Sequence, residues 1–132
     1  GGGAWLNDKQ RLRVSGRNKM IESVVATGMP FGGGKYLPAS LKDHAALLPQ
    51  CAGVRRFGAA ALDLAYVAAG RFDGFWERGL KTWDIAAGVL LVTEAGGLLE
   101  PMRDGQNLLE DGHLICANNE IFDKFAKVIR EA

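Results

Sequence analysis

Between residues 83 and 95 the chain places apolar side chains on every side of a helical projection rather than along one stripe. This pattern predicts a helix that is buried nearly all round. Asp84 falls in its first turn, after Thr82 as the expected N-cap, and the pair Gly96 and Gly97 offers left-handed stop positions at its other end. We therefore expect this helix in the middle of the protein.

The rest of the chain alternates between strand and helix patterns. Residues 11–15 alternate charged and apolar side chains, which predicts a strand paired as a hairpin with residues 4–6. A β-branched run at 23–27 predicts a buried strand, and three- and four-residue apolar spacing at 121–129 predicts a final helix. Further strands are expected at 54–57, 72–77, 98–100 and 114–117, and further helices at 37–51 and 58–69.

This order of elements predicts a layered α/β fold with one core. A length of 132 residues with 48% hydrophobic content suits one globular domain. We divide it into 1–52, with the hairpin, a buried strand, a loop and a helix, and 53–132, where strands and helices alternate. The glycine-rich run 28–35 is expected to be an exposed loop, because its spacing fits neither a P-loop nor a GxGxxG turn.

Composition excludes several classes of function. A net charge of +1 with interspersed signs offers no basic face for nucleic acid. Apolar runs stop well short of the roughly 20 residues that a membrane span needs, and no basic-then-apolar leader is visible, so we expect a cytoplasmic protein. Cys51 and Cys116 lack CxxC spacing and are expected as buried thiols, while His44 and His113 lack a ligand-spaced partner.

Two places could carry chemistry on their residues alone. A carboxylate in the first turn of a buried helix, such as Asp84, is held ionised by unpaired N–H groups, and a hard cation prefers such a ligand. The same residue is equally expected to act only as a helix cap. Small residues at 58–61 allow a ligand to approach the start of the next helix, or simply allow close packing.

Five motifs, in chain order, resemble the inositol monophosphatase family of magnesium-dependent phosphatases, and they cover essentially the whole chain. The resemblance implies a layered α/β sandwich, of which this chain is the C-terminal half. The motifs are Gly3-Ala4-Trp5-Leu6-Asn7, Gly53-Val54-Arg55-Arg56-Phe57-Gly58-Ala59-Ala60, Asp73-Gly74-Phe75-Trp76-Glu77, Trp83-Asp84-Ile85-Ala86-Ala87-Gly88 and Glu94-Ala95-Gly96-Gly97.

The resemblance also implies roles for individual residues. Asp84 would be a catalytic Mg²⁺ ligand, and Glu77 would accept hydrogen bonds from substrate hydroxyls, although it could instead be a surface carboxylate paired with Arg78 or Lys81. The backbone of Gly58, Ala59 and Ala60 would line the substrate pocket. Because relatives often carry Ser or Thr where Ala59 stands, a hydroxyl contact is missing here.

An arginine pair precedes that segment. Arg55 and Arg56 are suited to phosphate, but the resemblance implies that such an arginine organises the site and the subunit interface, and we favour that role.

The family's other chemical motifs are absent from these 132 residues. Its first half carries a Glu-Glu pair and an Asp-Pro-x-Asp-Gly-Thr motif, which supply most of the metal ligands. We therefore expect this chain to be half of a phosphatase of roughly twice the length, inactive alone, that needs the missing N-terminal half and forms a homodimer.

The expected function is Mg²⁺-dependent hydrolysis of phosphate monoesters of inositol or sugars. Fructose bisphosphate, histidinol phosphate and phosphoadenosine phosphate are alternative substrates within the family. A non-catalytic interaction domain on the same scaffold is the alternative from another class.

Overall fold

A five-stranded mixed sheet with helices on both faces organises the protein in the computed structural model, which describes residues 1–28 and 34–132. Most of the loop expected at 28–35 lies outside these ranges. The strands are β1 Trp5–Leu6, β2 Gln10–Arg11, β3 Val24–Thr27, β4 Gly53–Arg55, β5 Gly74–Glu77, β6 Leu98–Pro101 and β7 Leu114–Ala117. The helices are α1 Leu37–Leu47, α2 Ala60–Ala68, α3 Thr82–Glu94, α4 Leu108–Asp111 and α5 Phe122–Glu131, with 3₁₀ turns at Met20–Glu22 and Leu48–Gln50.

The sheet order is β4-β3-β5-β7-β6. β3 is parallel to both β4 and β5, whereas β7 is antiparallel to β5 and β6. β7 is buried along its whole length and β3 along most of it, and both are apolar almost throughout, as strands covered on both faces require. The layered α/β fold is therefore confirmed.

The hairpin β1–β2 is separate from this sheet. Asn7 and Asp8 both have positive φ, 53° and 59°, as the two central residues of a tight hairpin turn require. The second strand ends at Arg11 rather than continuing to residue 15 as predicted. Beyond it, the Val14 N–H donates to the Ala95 carbonyl, so the chain turns away from the hairpin to bind the end of α3.

The two faces of the sheet carry different pairs of helices. α2 and α3 cover one face, where Phe75, Leu114 and Cys116 are buried. α1 and α5 cover the other, where Trp76 and Ile115 are buried. Alternate residues of β5 and β7 thus point into two separate cores, as strand geometry dictates.

Helix α3 is buried on one side only, so the prediction of burial all round is wrong for this chain. A narrow stripe at Ile85, Gly88 and Val92 faces α2 and the sheet, while Trp83 is 79% exposed and Leu90 61% exposed. The apolar side chains on the outer side have no covering element in residues 1–28 and 34–132. The apolar pattern indicates which sides of the helix are suited to packing contacts. The described residues cover only one of those sides.

The ends of α3 also differ slightly from the prediction. The N-cap is Lys81, and Thr82 is the first helical residue. Gly96 has φ +91° and ends the helix as expected. Elsewhere Gly70, with φ +76°, closes the turn after α2.

One helix was not predicted. α4 is a single turn, too short to show a hydrophobic period, and its capping alone defines it. Asn107 accepts hydrogen bonds from the N–H groups of Leu109 and Glu110, and Gly112 closes the turn with φ +69°. Of the helices described here, none is long and apolar enough to cross a membrane.

Candidate functional site

A pocket of about 440 Å³ opens where β3 and β5 end and where α2 and α3 begin. Carboxyl ends of parallel strands and N-termini of helices meet here, which is where open α/β sheets commonly bind ligands. All five residues that the sequence singled out lie along it. The pocket is lined by Gly28, Arg56, Gly58, Ala59, Ala60, Ala61, Glu77, Gly79, Leu80, Trp83 and Asp84.

Glu77 is the last residue of β5 and is half-buried. Burial, first, and the negative charges of Asp63 and Asp84, second, raise the pKa of its carboxyl to about 7 against the opposing charge of Arg56. Gly28 lies directly against it, and a Cβ at Gly28 would overlap the Glu77 carboxylate. The glycine at position 28 is therefore what leaves room for this carboxylate.

Of the two alternative partners for Glu77, Arg78 is engaged elsewhere. Both terminal oxygens of Asp43 accept from the Arg78 guanidinium, at 2.8 and 2.9 Å from Nη2. Arg78 therefore points to the α1 face of the sheet, and the surface pairing of Glu77 with Arg78 is not formed.

Asp84 lies in the first turn of α3 and is half-buried. Its Oδ2 accepts a hydrogen bond from the Lys81 N–H at 3.0 Å, so it caps the helix as its position in the first turn suggests. Its charge also reaches Glu77, since it contributes to the raised pKa there. Capping and a place in the pocket are thus combined in one residue.

Gly58, Ala59 and Ala60 form the wall at the start of α2. Gly58 has φ +78°, and a Cβ there would meet nothing within 4 Å, so the backbone conformation rather than lack of space favours glycine. Ala59 is the N-cap and has no side chain that could cap. The first N–H groups of α2 consequently have no side-chain cap on the pocket side.

Arg56 and Trp83 complete the wall. Arg56 is the basic side chain among the lining residues that the structure describes, and it partly offsets the two carboxylates. The exposed Trp83 ring offers a broad apolar surface at the mouth. The described lining thus combines two carboxylates, a guanidinium and an apolar ring.

Asp63 is a residue near the site that the sequence analysis missed. It is fully buried in α2, and neither carboxylate oxygen has a hydrogen-bond partner within the described ranges. Burial raises its pKa to about 6, and its charge in turn raises the pKa of Glu77. In the sequence, the only sign of this residue is an aspartate between Leu62 and Leu64, on the side of α2 that packs against the core.

The described residues supply only some of the ligands that Mg²⁺, the metal implied by the resemblance, would need. Asp84 and Glu77 offer carboxylate oxygens, the donors that this hard cation prefers. Among residues 1–28 and 34–132, however, no group of three or more His, Cys, Asp or Glu side chains could hold a metal ion. The donor chemistry fits, but the number of ligands is too small.

Comparison with known proteins gives a consistent picture. A model of the "Inositol monophosphatase family" matches residues 1–132. An inositol-1-monophosphatase of Mesorhizobium japonicum is 48% identical over 131 residues, which cover 99% of this chain and 49% of that protein. A protein of Pseudomonas aeruginosa named Nus factor SuhB is 48% identical over 132 residues, covering 98% of this chain and 48% of the relative.

The fold is matched equally well. The crystal structure of the extragenic suppressor protein suhB from Bartonella henselae superposes with a TM-score of 0.92 at 42% identity, covering 100% of this chain and 51% of that one. The chain thus spans about half the length of the curated relatives that it matches.

Proposed function

Because the chain belongs to the inositol monophosphatase family, we propose that it forms the C-terminal half of a Mg²⁺-dependent phosphatase that hydrolyses phosphate monoesters of inositol or sugars. The observation that carries this proposal is the pocket itself. It gathers Asp84, Glu77 and the start of α2 from three separate elements around one volume of about 440 Å³. A chain that used this scaffold only for packing would have no need to bring two carboxylates together there.

Glu77 is suited to orient a polyhydroxyl ligand. An ionised carboxylate accepts hydrogen bonds from hydroxyl groups, and a site built around such bonds discriminates strongly against analogues without them. Its raised pKa means that this acceptor is about half ionised at pH 7 and fully ionised only well above that pH. The missing hydroxyl at Ala59 affects the choice of substrate more than the choice of reaction.

Asp84 would contribute one carboxylate oxygen to magnesium. The bound ion would supply positive charge that stabilises the attacking and leaving oxygens of phosphate hydrolysis. Its remaining ligands would come from the other half of the protein, since this chain offers too few. Asp84 also keeps its bond to the Lys81 N–H, which holds its carboxylate in a fixed orientation.

The proposal also includes an N-terminal half that binds the exposed surface of α3. The outer surface of α3 carries Trp83 and Leu90, both apolar and largely exposed. Contiguous apolar surface of this kind is typical of an interaction site. We expect the first half to cover it, the complete protein to be a cytoplasmic homodimer, and the 132-residue chain alone to be inactive.

The test uses the complete protein with an Asp84→Asn substitution. The amide oxygen can still accept from Lys81, so the fold should persist, while the lost charge weakens magnesium. We expect turnover of p-nitrophenyl phosphate and of inositol phosphate to fall by about 100-fold or more, with weaker Mg²⁺ binding by calorimetry and an unchanged melting temperature.

Asp123→Asn is the matched control, because Asp123 is an exposed acid in the first turn of another helix, α5. It should leave turnover unchanged. Near wild-type activity of Asp84→Asn at saturating magnesium would mean that Asp84 is a cap and no more. Full activity of residues 1–132 alone would contradict the need for another half.

A second candidate function follows from the names of some relatives. Several proteins at 45–48% identity are named Nus factor SuhB rather than phosphatase, so a non-catalytic interaction domain is the second candidate. If the complete protein neither binds magnesium nor hydrolyses phosphate esters, while Asp84→Asn leaves all its properties unchanged, the interaction role becomes the better one.

A further inference from the structure

The backbone of the turn between the two carboxylates of the pocket is hydrogen-bonded to the segment that precedes β7. Residues 78–81 join Glu77 to the helix of Asp84. Two successive N–H groups of this turn donate into residues 112 and 113: Gly79 to His113 Nδ1 at 2.9 Å and Leu80 to the Gly112 carbonyl at 3.0 Å. The conformation of the backbone between Glu77 and Asp84 therefore depends on contacts with the two residues that precede β7.

The same segment also holds the beginning of α3. The Thr82 hydroxyl donates to the Leu109 carbonyl at 2.9 Å. A Cβ at Gly112 would come within 2.7 Å of the Leu80 carbonyl carbon, so the two backbones are in direct contact. These bonds and this contact span residues 79–82 on one side and 109–113 on the other.

The supporting segment has hydrogen bonds of its own. Asn107 Oδ1 accepts from Leu109 N–H at 3.1 Å and Glu110 N–H at 3.0 Å, and Asp111 Oδ2 accepts from the Asn107 N–H at 2.7 Å. These bonds close the N-terminal end of the single turn α4, and the Gly112 N–H closes its other end by donating to the Leu108 carbonyl. Beyond it, β7 is anchored by pairing Leu114 with Glu77 itself.

His113 provides the side-chain acceptor for the turn. Since its Nδ1 accepts from an N–H group, the ring is neutral with its hydrogen on Nε2. The ring packs edge-on against Tyr36, with centroids 5.1 Å apart, and the Tyr36 ring in turn lies against Gly79. Hydrogen bond and ring contact thus converge on the same glycine.

We propose that His113 is a positioning residue of the pocket: by accepting the hydrogen bond of Gly79, it fixes the turn that sets the placement of Glu77 relative to Asp84. This inference rests on the proposed function of those two carboxylates. His113 is not among the residues that line the pocket. Its effect passes through the backbone of Gly79, which does line it.

A displaced turn would disturb both carboxylates at once. Glu77 stands before the turn and Asp84 after it, so loss of the bond at Gly79 changes their relative position. Misplacement by about 1 Å in an active site is enough to lower activity by about two orders of magnitude. We expect smaller losses here, because the bond from Leu80 to Gly112 remains.

Two substitutions in the complete protein separate the acceptor from the ring. His113→Phe keeps an aromatic ring against Tyr36 but removes the acceptor. His113→Asn removes the ring but places an amide oxygen near the position of Nδ1. With p-nitrophenyl phosphate and inositol phosphate, we expect His113→Phe to raise KM and lower kcat, reducing kcat/KM about tenfold or more, and His113→Asn to recover most of that loss.

Amide NMR gives a readout that does not depend on catalysis. In His113→Phe the Gly79 amide should exchange faster with solvent, and the Lys81 amide, which binds Asp84, should shift; His113→Asn should restore both. An inactive wild-type protein would refute the proposed function, and the amide results would still decide the positioning role. Equal losses in the two variants, or a changed Gly79 amide with unchanged Lys81 amide and kcat/KM, would overturn it.

Discussion

Glu77 lies in an environment that disfavours its ionised form. It stands at the end of a buried strand, beside two other carboxyl groups, and it is removed from much of the solvent that would stabilise its charge. Desolvation and like charge both favour the protonated form. Ionising it therefore costs folding free energy, and this cost has a defined pH dependence.

Replacing Glu77 with Gln should stabilise the folded chain at alkaline pH. The unfolded carboxyl ionises near pH 4.5 and the folded one near pH 7, so the wild-type chain loses stability as pH rises between these values. We expect Glu77→Gln to be more stable by about 1–3 kcal/mol at pH 8.5. Below about pH 4.5, where both states are protonated, the difference should disappear.

Urea unfolding of the 132-residue chain from pH 4 to pH 8.5 provides the measurement. Glu120→Gln is the matched control, because Glu120 is exposed and distant from the pocket. The control should follow the wild type at every pH. A constant difference between Glu77→Gln and the wild type across this range would rule out an origin in ionisation.

Sequence reasoning brought out the residues of the pocket that belong to recognisable motifs. Glu77, Asp84 and the run 58–60 were all singled out, and the structure brings them together. Gly28 and Asp63 were missed, because their importance lies in contacts between elements. A glycine that leaves room for a carboxylate from a neighbouring strand is indistinguishable in sequence from a glycine in a loop.

At the scale of elements, one ion pair connects the site to the opposite layer. Asp43 of α1 is 1% exposed and accepts from both the Arg78 guanidinium and the Trp76 Nε1–H. Trp76 and Arg78 flank Glu77 in sequence. The end of β5 is thus fixed to α1 from behind, while Glu77 points into the pocket.

Removing that carboxylate should destabilise the protein. Asp43→Ala leaves a largely buried guanidinium and an indole N–H without their partner, which we expect to cost about 2–4 kcal/mol of unfolding free energy. Asp104→Ala, in an exposed turn, should change it by less than about 0.5 kcal/mol. Chemical denaturation of the three proteins makes the comparison.

Adding Arg78→Met to Asp43→Ala tests the reason for the loss. If an unpaired buried charge is the cause, the second substitution should recover part of the stability. Should Asp43→Ala prove no more harmful than Asp104→Ala, the pair does not fix the end of β5.

The elements themselves were predictable where a period or a β-branched run was long enough. α5 shows the three- and four-residue spacing over its whole length, and β3 and β7 are continuous apolar runs. The single turn α4 had no period to reveal it. The error over α3 has another cause, because hydrophobic pattern reports what a helix can contact and not which partner is present.

For the whole molecule, the contrast between the two helical layers matters most. α1 and α5 close the sheet on one side. On the other side α2 and α3 pack closely on each other, where Gly88 meets Leu64, yet their outer surface stays apolar and open at Leu62 and Leu90. Leu41 on α1 is also exposed, so exposure alone does not distinguish the layers; we propose that the α2 and α3 layer contacts the other half of the complete protein, because it also carries the exposed Trp83 beside the pocket.

A charged residue on the open layer should therefore block assembly without harming the chain itself. We expect Leu90→Lys to weaken binding of residues 1–132 to the separately produced N-terminal half by about tenfold or more, because a lysine at the centre of an apolar contact is costly to bury. Its unfolding free energy should stay within about 0.5 kcal/mol of the wild type. Titration calorimetry and urea unfolding give the two quantities.

Leu41→Lys is the matched control, since Leu41 is 55% exposed and lies on α1, in the opposite layer. It should bind the N-terminal half as tightly as the wild type does. If the two lysine variants bind alike, the open layer is not the contact between the halves. A wild-type chain that dimerises through Leu90 without the other half would assign this surface to self-association instead.

The contact between Gly28 and Glu77 also bears on how such a pocket can diverge. Any side chain at position 28 would displace the carboxylate, and Gly58 is restricted by its positive φ, so neither position can drift without losing the arrangement. Ala59 and Trp83 are exposed on the same wall and carry no such restriction. Among these four wall positions, we expect substitutions that change ligand preference in related proteins to occur at 59 and 83. We expect glycine to be retained at 28 and 58.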